Sequence, residues 1–397
     1  MSVSIHKKKI LALILAGGKG SRLGLLTENR PKPVMPFAGN YRLIDFALSN
    51  CRNSRINDVW VIEQYELHSL NEHLANGRPW DLDRTYGGLQ VLPPFEDDEK
   101  SDDEGGFAQG NADAIARHKS LIREFNPDIL ITLSADHIYK CDFRDAIESH
   151  LEKQAAVTMV TTKLPATEKD ASRFGVVETA KDGRIVNFQY KPEKPKSDII
   201  TTEIFVYDGK ILLDTINQLQ EQRDGKLKDY GNELIPQFVK SKKAFEHRLD
   251  GYWRDVGTIE SYWETQMNLL DGKNELKLGD ENWRILTLTK STVCAFVSSS
   301  AKIADSLIAD GARVSGTVKK SVLSAGVTIE EGAEIEECII LPGAIIEKGV
   351  KLKRAIIDAS TRVTAAKIKS KTRSKSDILV IGQRKMQTST EISEESK

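Results

Sequence analysis

The residues best placed to do chemistry lie in Ala16-Gly-Gly-Lys-Gly-Ser-Arg-Leu23. Three glycines let a backbone approach a phosphate closely and aim its N–H groups at the oxygens. A Walker loop needs GxxxxGK[ST], which is absent, and Leu23 stands where a dinucleotide fingerprint needs its third glycine. Arg22 adds a planar fork of donors suited to polyphosphate oxygens. Lys32 follows in Arg30-Pro-Lys-Pro33, where flanking prolines stiffen the backbone carrying the ammonium. Two cations beside such a loop point to a nucleoside triphosphate whose pyrophosphate departs. The plain alternative is a surface turn with solvated cations.

Candidate acids lie further along the chain. Asp136, in Leu133-Ser-Ala-Asp-His-Ile138, follows an apolar run that reads as a buried strand. Open α/β sheets place ligands at strand C-termini. A carboxylate there suits Mg²⁺, a hard cation that bridges phosphates. His137 reads as structural rather than as a zinc ligand, because no partner sits at metal spacing. Asp255, in Tyr252-Trp-Arg-Asp-Val-Gly257, is a second acid in an aromatic setting. Spacing alone does not bring the two acids together.

Two textures position these residues. Up to about residue 270, short apolar runs (Ile10 to Leu15, Ile129 to Leu133, Ala156 to Val160) alternate with helical patterns. In the stretch from Asn111 to Phe125, Ile115, Leu121, Ile122 and Phe125 share one helical face, with Asn111 as a candidate cap. Strands alternating with helices predict an α/β domain with a mainly parallel sheet covered on both faces. From about Val293 small apolar residues recur every six: Gly326 and Gly332, Ile329 and Ile335, Gly343 and Gly349, Ile346 and Leu352. That period predicts a parallel β-helix whose rungs must stack to bury a core. The expected organisation is a catalytic domain over 1–270, a linker over 271–292, the β-helix over 293–372 and a partly disordered tail over 373–397. Glu96 to Glu104, with seven acids and one lysine, reads as a solvated loop tip.

Composition narrows the class. The 397 residues are 40% hydrophobic and 29% charged, ordinary for a globular protein. The net charge of −1, from 57 basic against 58 acidic residues, argues against a dedicated nucleic-acid binder. Four scattered cysteines (Cys51, Cys141, Cys294, Cys338) make neither a disulfide framework nor a CxxC zinc site. No apolar run approaches the roughly 20 residues of a membrane span, and the apolar start at Ile10 reads as a strand rather than a signal peptide. The expected compartment is the cytoplasm.

Together these stretches resemble the sugar-1-phosphate nucleotidyltransferases, and most closely the glucose-1-phosphate adenylyltransferases of glycogen and starch synthesis. LILAGGKGSRL, RPKPV, ADHIYK and ASRFGV carry the likeness, and YRLIDFALSNC (Tyr41 to Cys51) and YWRDVGT narrow it. The resemblance implies a Rossmann-like nucleotidyltransferase domain followed by a left-handed parallel β-helix. It implies transfer of AMP from ATP to α-glucose 1-phosphate, with Mg²⁺. By match, Leu15, Ala16, Gly17, Gly18, Gly20, Arg22 and Gly110 would meet the nucleotide. Arg22, Lys32 and Asp136 would be catalytic, with Asp136 and Asp255 holding the metal. Ala108, Gly175, Tyr190, Lys191 and Thr201 would form the sugar-phosphate side. The family also implies a tetramer, either of one chain or with a homologous subunit, under allosteric control.

Three departures fall on the sugar side. The family's Glu-Lys-Pro reads Tyr190-Lys191-Pro192, and its Ser-Met-Gly reads Thr201-Thr202-Glu203. Its Trp-Tyr-(Lys/Arg)-Gly-Thr reads Phe107-Ala108-Gln109-Gly110-Asn111. Glu203 is the hardest to accommodate, because a carboxylate near a sugar phosphate would repel it. The alternatives are a different sugar 1-phosphate, or a weakly active regulatory subunit of a mixed oligomer.

Overall fold

The computed structural model describes residues 5–17, 20–64, 67–94, 108–165, 171–223, 225–271, 276–289, 292–368, 374 and 376–396. The acidic stretch Glu96 to Glu104, Phe107 and Gly18 lie outside the described residues.

Strand β1 (Ile10–Ala16) is apolar throughout, as a strand covered on both faces must be. Its side chains alternate between faces. Leu11 and Leu13 enter one core, and Ala12, Ile14 and Ala16 enter another on the opposite side. β2 (Asp58–Glu63), β3 (Gly88–Leu92) and β4 (Ile129–Ser134) extend the sheet in the parallel order β3-β2-β1-β4. All of these strands therefore run the same way, and the loops after β1 and β4 emerge at one edge. The short β5 (His137–Tyr139) follows β4.

The other half of the sheet comprises β6 (Val157–Lys163), β7 (Gly175–Thr179), β8 (Ile185–Tyr190), β9 (Ile199–Asp208) and β10 (Ala244–Arg248). Here the long β9 runs antiparallel to β4, β6 and β7, β8 pairs antiparallel with β7, and β10 pairs parallel with β6, giving a sheet of nine strands among the described residues. Strand β11 (Trp253–Asp255) leaves that sheet and pairs antiparallel with β5.

The stretch expected as one helix is two, α1 (Asn111–Arg117) and α2 (Lys119–Phe125), broken at His118. Ile115 and Ile122 are buried as expected, but the break turns Leu121 out to solvent. Asn111 is not the cap. Gly110 holds that position, and the Lys228 carbonyl accepts the N–H groups of Ala112 and Asp113 at 3.0 and 3.3 Å. A neighbouring backbone thus does what a capping side chain does elsewhere.

From Phe296 onward three parallel ladders stack coil upon coil. Val314 pairs with Ile329, Ile329 with Ile346 and Ile346 with Val363, all buried inside. The Ser306 hydroxyl accepts the Ser321 N–H 15 residues later, and the Ser321 hydroxyl accepts the Cys338 N–H 17 residues later. Coils shorter than three full hexapeptides explain the slips in the six-residue period. The Trp283–Leu286 segment is strapped across helix Ile44–Asn53: Trp283 Nε1 donates to Asn50 at 2.8 Å and the Leu286 N–H to Ser49 at 2.9 Å.

The C-terminal segment departs from the expected tail. Leu379–Ile381 adds a strand to the β-helix, Met386–Thr388 folds back on it, and helix Ser389–Glu395 follows behind a Thr388–Glu391 capping box. Its polar composition masked a few well-spaced apolar residues. Ile378, Val380 and Ile392 join a core with Leu23, Leu25 and Leu26 of the catalytic domain and Val322, Ile339 and Ile356 of the β-helix. Arg30 pairs with Asp358 across the same junction at 2.8 Å. Replacing Ile392, 2% exposed, by Ala is expected to reduce stability by about 2–5 kcal/mol. The measurement is the shift in urea midpoint of the full chain.

Candidate active site

The glycine loop leaves β1 at the sheet edge. Ala16 is buried and pairs with Glu63, while Leu15 and Gly17 line a cleft of about 570 Å³. A Cβ on Gly17 would stand 2.9 Å from Gln64 Oε1, the end of a flexible side chain that could shift to admit it. Gly20 has φ of 63°, a left-handed conformation that favours glycine, and its carbonyl accepts the Leu23 N–H at 2.8 Å and the Thr27 hydroxyl at 2.9 Å. This turn presents Ser21 and the exposed Arg22 to the cleft. Beneath it, Glu63 is 1% exposed; Oε2 accepts from Asn71 Nδ2 at 3.1 Å, and Oε1 has no partner among the described residues. Burial pushes the Glu63 carboxyl up to about 7, outweighing the Asn71 bond.

Opposite the loop, Lys32 is only 7% exposed in a single helical turn over Lys32–Val34. Its ammonium bonds Asp136 and lies 3.6 Å from Asp255 Oδ1. The two acids meet because β11 sets Asp255 opposite His137 on β5. Burial disfavours both charges, yet the pair prevails. Asp136 and Asp255 together hold Lys32 above the usual lysine value, and the Lys32 and His137 charges with bonds from Lys32 and Ser134 hold Asp136 below the usual carboxylate range. His137 Nδ1 donates to the Thr202 carbonyl at 3.1 Å, leaving Nε2 at 3.6 Å from Asp136 and 3.8 Å from Asp255. Arg173, which sequence reasoning had given no role, lies 3.6 Å from Asp255 Oδ2.

The sugar-side expectations separate into two groups. Tyr190, Lys191 and Glu203 line the cleft, with Lys191 Nζ 4.8 Å from the Tyr190 ring centroid. Burial lowers the Lys191 ammonium, but neighbours led by Tyr190, Glu203 and Asp229 raise it further. Thr201 is 2% exposed and faces Gly175, where an added Cβ would lie 2.7 Å from the Thr201 hydroxyl oxygen. Those two residues fit each other within the sheet. Ala108 packs against the core, and Gly110 admits the Lys228 carbonyl, which a Cβ would approach to 2.4 Å. That approach brings Asn111, Asp229 and Tyr230 into the cleft wall. No motif in KLKDYGNEL marks Asp229 and Tyr230, because a distant backbone contact places them.

A glycine loop at the edge of an α/β sheet, facing a lysine held by two carboxylates, defines a phosphate-handling transferase site. The nucleotidyl transferase family model matches residues 11–272, and a GlmU-like C-terminal hexapeptide model matches 292–369. The chain is 42% identical to a glucose-1-phosphate adenylyltransferase of Clostridium perfringens, over 85% of this chain and 84% of the relative. Against the enzymes of that name from Geobacillus stearothermophilus and Thermosipho africanus it is 42% and 40% identical, each over 83% of this chain, covering 84% and 78% of the relatives. The chain belongs to the glucose-1-phosphate adenylyltransferase family of nucleotidyltransferases.

The Glu63 carboxyl supplies a pH prediction. Its folded value lies above the roughly 4.3 of an unfolded glutamate, so its contribution is complete below pH about 4.3 and is lost as pH rises to about 7. Within that window it lowers stability by up to about 1.4 kcal/mol per pH unit. Glu63→Gln is expected to flatten that slope and to be the more stable chain at pH 8. Urea titrations of both chains at pH 5, 6, 7 and 8 measure it.

Proposed function

We propose that this chain transfers AMP from ATP to α-glucose 1-phosphate, forming ADP-glucose and pyrophosphate for glycogen or a related α-glucan. The observation that carries the reading is the buried Lys32 gripped by Asp136 and Asp255 in a cleft that Arg22 and Lys191 also line. A phosphate oxygen of the sugar attacks the α-phosphorus in line; the bond to the β-phosphate bridging oxygen breaks and its electrons leave with pyrophosphate. Such a step needs positioning and charge neutralisation rather than a covalent enzyme intermediate.

The charges of the cleft assign the parts. Arg22 and Lys32 face the triphosphate and the departing pyrophosphate. The loop N–H groups of Leu15, Ala16, Gly17 and Gly20 cradle phosphate oxygens. Lys191 meets the phosphate of the sugar. Asp136 and Asp255 fit a magnesium ion: two hard oxygen donors converge on one cation position, which Lys32 shares. Without a divalent cation these carboxylates would repel the triphosphate. When bound, the ion supplies neutralisation of phosphate charge. Among the described residues no group of three or more His, Cys, Asp or Glu has metal-holding geometry.

Family kinship also supports a tetrameric assembly with metabolite control, the partner being a second copy or a homologous subunit, in the cytoplasm. No helix of the described residues is long and apolar enough to cross a membrane.

The test is a matrix of nucleoside triphosphates against sugar 1-phosphates, read as pyrophosphate release, with ATP and glucose 1-phosphate expected to give the highest kcat/KM. Lys191→Ala is expected to raise the sugar-phosphate KM by roughly ten- to a hundredfold, as for one lost charge-assisted bond, with far less change for ATP. Asp136→Asn is expected to abolish Mg²⁺-dependent turnover while near-native circular dichroism persists. Equal effects of Lys191→Ala on both KM values would overturn that assignment.

A further inference from the structure

Strand β9 is regular except at one place. Its register with β6 breaks between Thr201 and Ile204. Inside the break Thr202 is fully buried, its hydroxyl donating to the Val160 carbonyl at 2.9 Å and its own carbonyl accepting from His137. Glu203, next in line, has φ of 57°. A left-handed backbone costs a non-glycine residue about 1–2 kcal/mol, and glycine would sit there freely. The strand keeps a carboxylate instead, and the break turns it into the cleft. Strain of this kind, held in place by packing on both sides, marks residues with a task.

A second observation comes from a different element. Tyr230 is 3% exposed, also lines the cleft, and its buried hydroxyl lies within bonding reach of the Glu203 carboxylate. The ring is fixed by edge contacts with Phe205 at 5.0 Å and Tyr190 at 6.3 Å, and it opens a π-helical turn over Tyr230–Leu234. Single π turns often occur at functional sites.

The cleft therefore holds a carboxylate and, beside it, a phenol. A phosphate is repelled by the first, and Lys191 is already available for it. A sugar hydroxyl fits this pair, donating to a carboxylate lone pair that the phenol leaves open. We propose that Glu203 and Tyr230 together bind one hydroxyl of the sugar ring and so determine which sugar 1-phosphate the cleft accepts. The proposal rests on the transferase reading above and adds to it the residues that discriminate among sugars. It also reverses the sequence-level expectation that Glu203 is only an obstacle to the substrate.

The experiment compares the unaltered chain with Glu203→Gly, Glu203→Gln and Tyr230→Phe. Substrates are glucose 1-phosphate and its 2-, 3-, 4- and 6-deoxy analogues with ATP. Glu203→Gly relieves the backbone, so its thermal midpoint is expected to be equal or higher, which separates loss of binding from loss of fold. Its sugar KM is expected to rise at least roughly tenfold, as for one charge-assisted bond, with the ATP KM within about twofold. One deoxy analogue is expected to be poor for the unaltered chain yet no worse than glucose 1-phosphate for Glu203→Gly, and to lose the same discrimination in Tyr230→Phe. An unchanged or lower sugar KM in Glu203→Gly overturns the proposal, as does a deoxy penalty that persists undiminished in both variants. If the unaltered chain releases no pyrophosphate with any sugar 1-phosphate, the transferase reading fails on its own. The same analogue series measured by calorimetric binding then decides the pair: equal affinities for all analogues overturn it, and one selective loss abolished by Glu203→Gly upholds it.

Discussion

A lysine ammonium out of water is tolerable only when opposite charge surrounds it. Much of the site follows from meeting that condition at Lys32. Asp136 is delivered by the turn after a central strand, 104 residues further along the chain. Asp255 is delivered by a three-residue strand that leaves the main sheet to pair with β5. Prolines on either side of Lys32 hold its backbone in place. Each of the three charges makes the other two tolerable, so removing one leaves the rest desolvated and uncompensated. The same arrangement holds Lys32 above the usual lysine value and Asp136 below the usual carboxylate range, so that phosphate and divalent cation can exchange places with existing partners.

Local signals in the chain revealed local features. The glycine loop, Arg22 and the stiffened Lys32 were legible because backbone permissiveness and charge sit within a few residues of each other. Asp136 was legible as an acid after a strand. Its meeting with Asp255 was legible only through the family resemblance, since the register of a two-stranded ribbon leaves no periodic trace. Gly175 and Thr201 show the converse problem: a glycine suited to a ligand and a glycine suited to a neighbouring side chain look alike in one sequence. Asp229 and Tyr230 reach the cleft through the Lys228 carbonyl, a contact that composition does not encode. The helix over 111–125 was read as continuous because apolar spacing survives a one-residue interruption at His118 that shifts the face beyond it.

The cleft carries a near balance of charge rather than a uniform cationic field. Arg22, Lys32, Arg173 and Lys191 face Asp136, Glu203, Asp229 and Asp255 around one cavity. Such a lining does not attract anions indiscriminately. It accepts an anion that arrives with its own counter-ion and with hydroxyl groups able to satisfy the remaining acceptors. Selectivity in this protein therefore resides as much in its acids as in its bases, which suits a site that must choose among phosphorylated metabolites of similar charge.

The clasp between the two ends of the fold bears on how the protein is made. Leu25, just past the glycine turn, donates its N–H at 3.4 Å to Gln387, a residue 362 positions later, and Ile392 presses on Gly24. During translation the nucleotide loop emerges early, but its outer support is still unsynthesised while the whole β-helix is being made. Until the C-terminal strand and helix are made, the ribosome-bound chain lacks the Ile378, Val380 and Ile392 side of the core around Leu23, Leu25 and Leu26, and apolar surface left open in this way is an aggregation hazard.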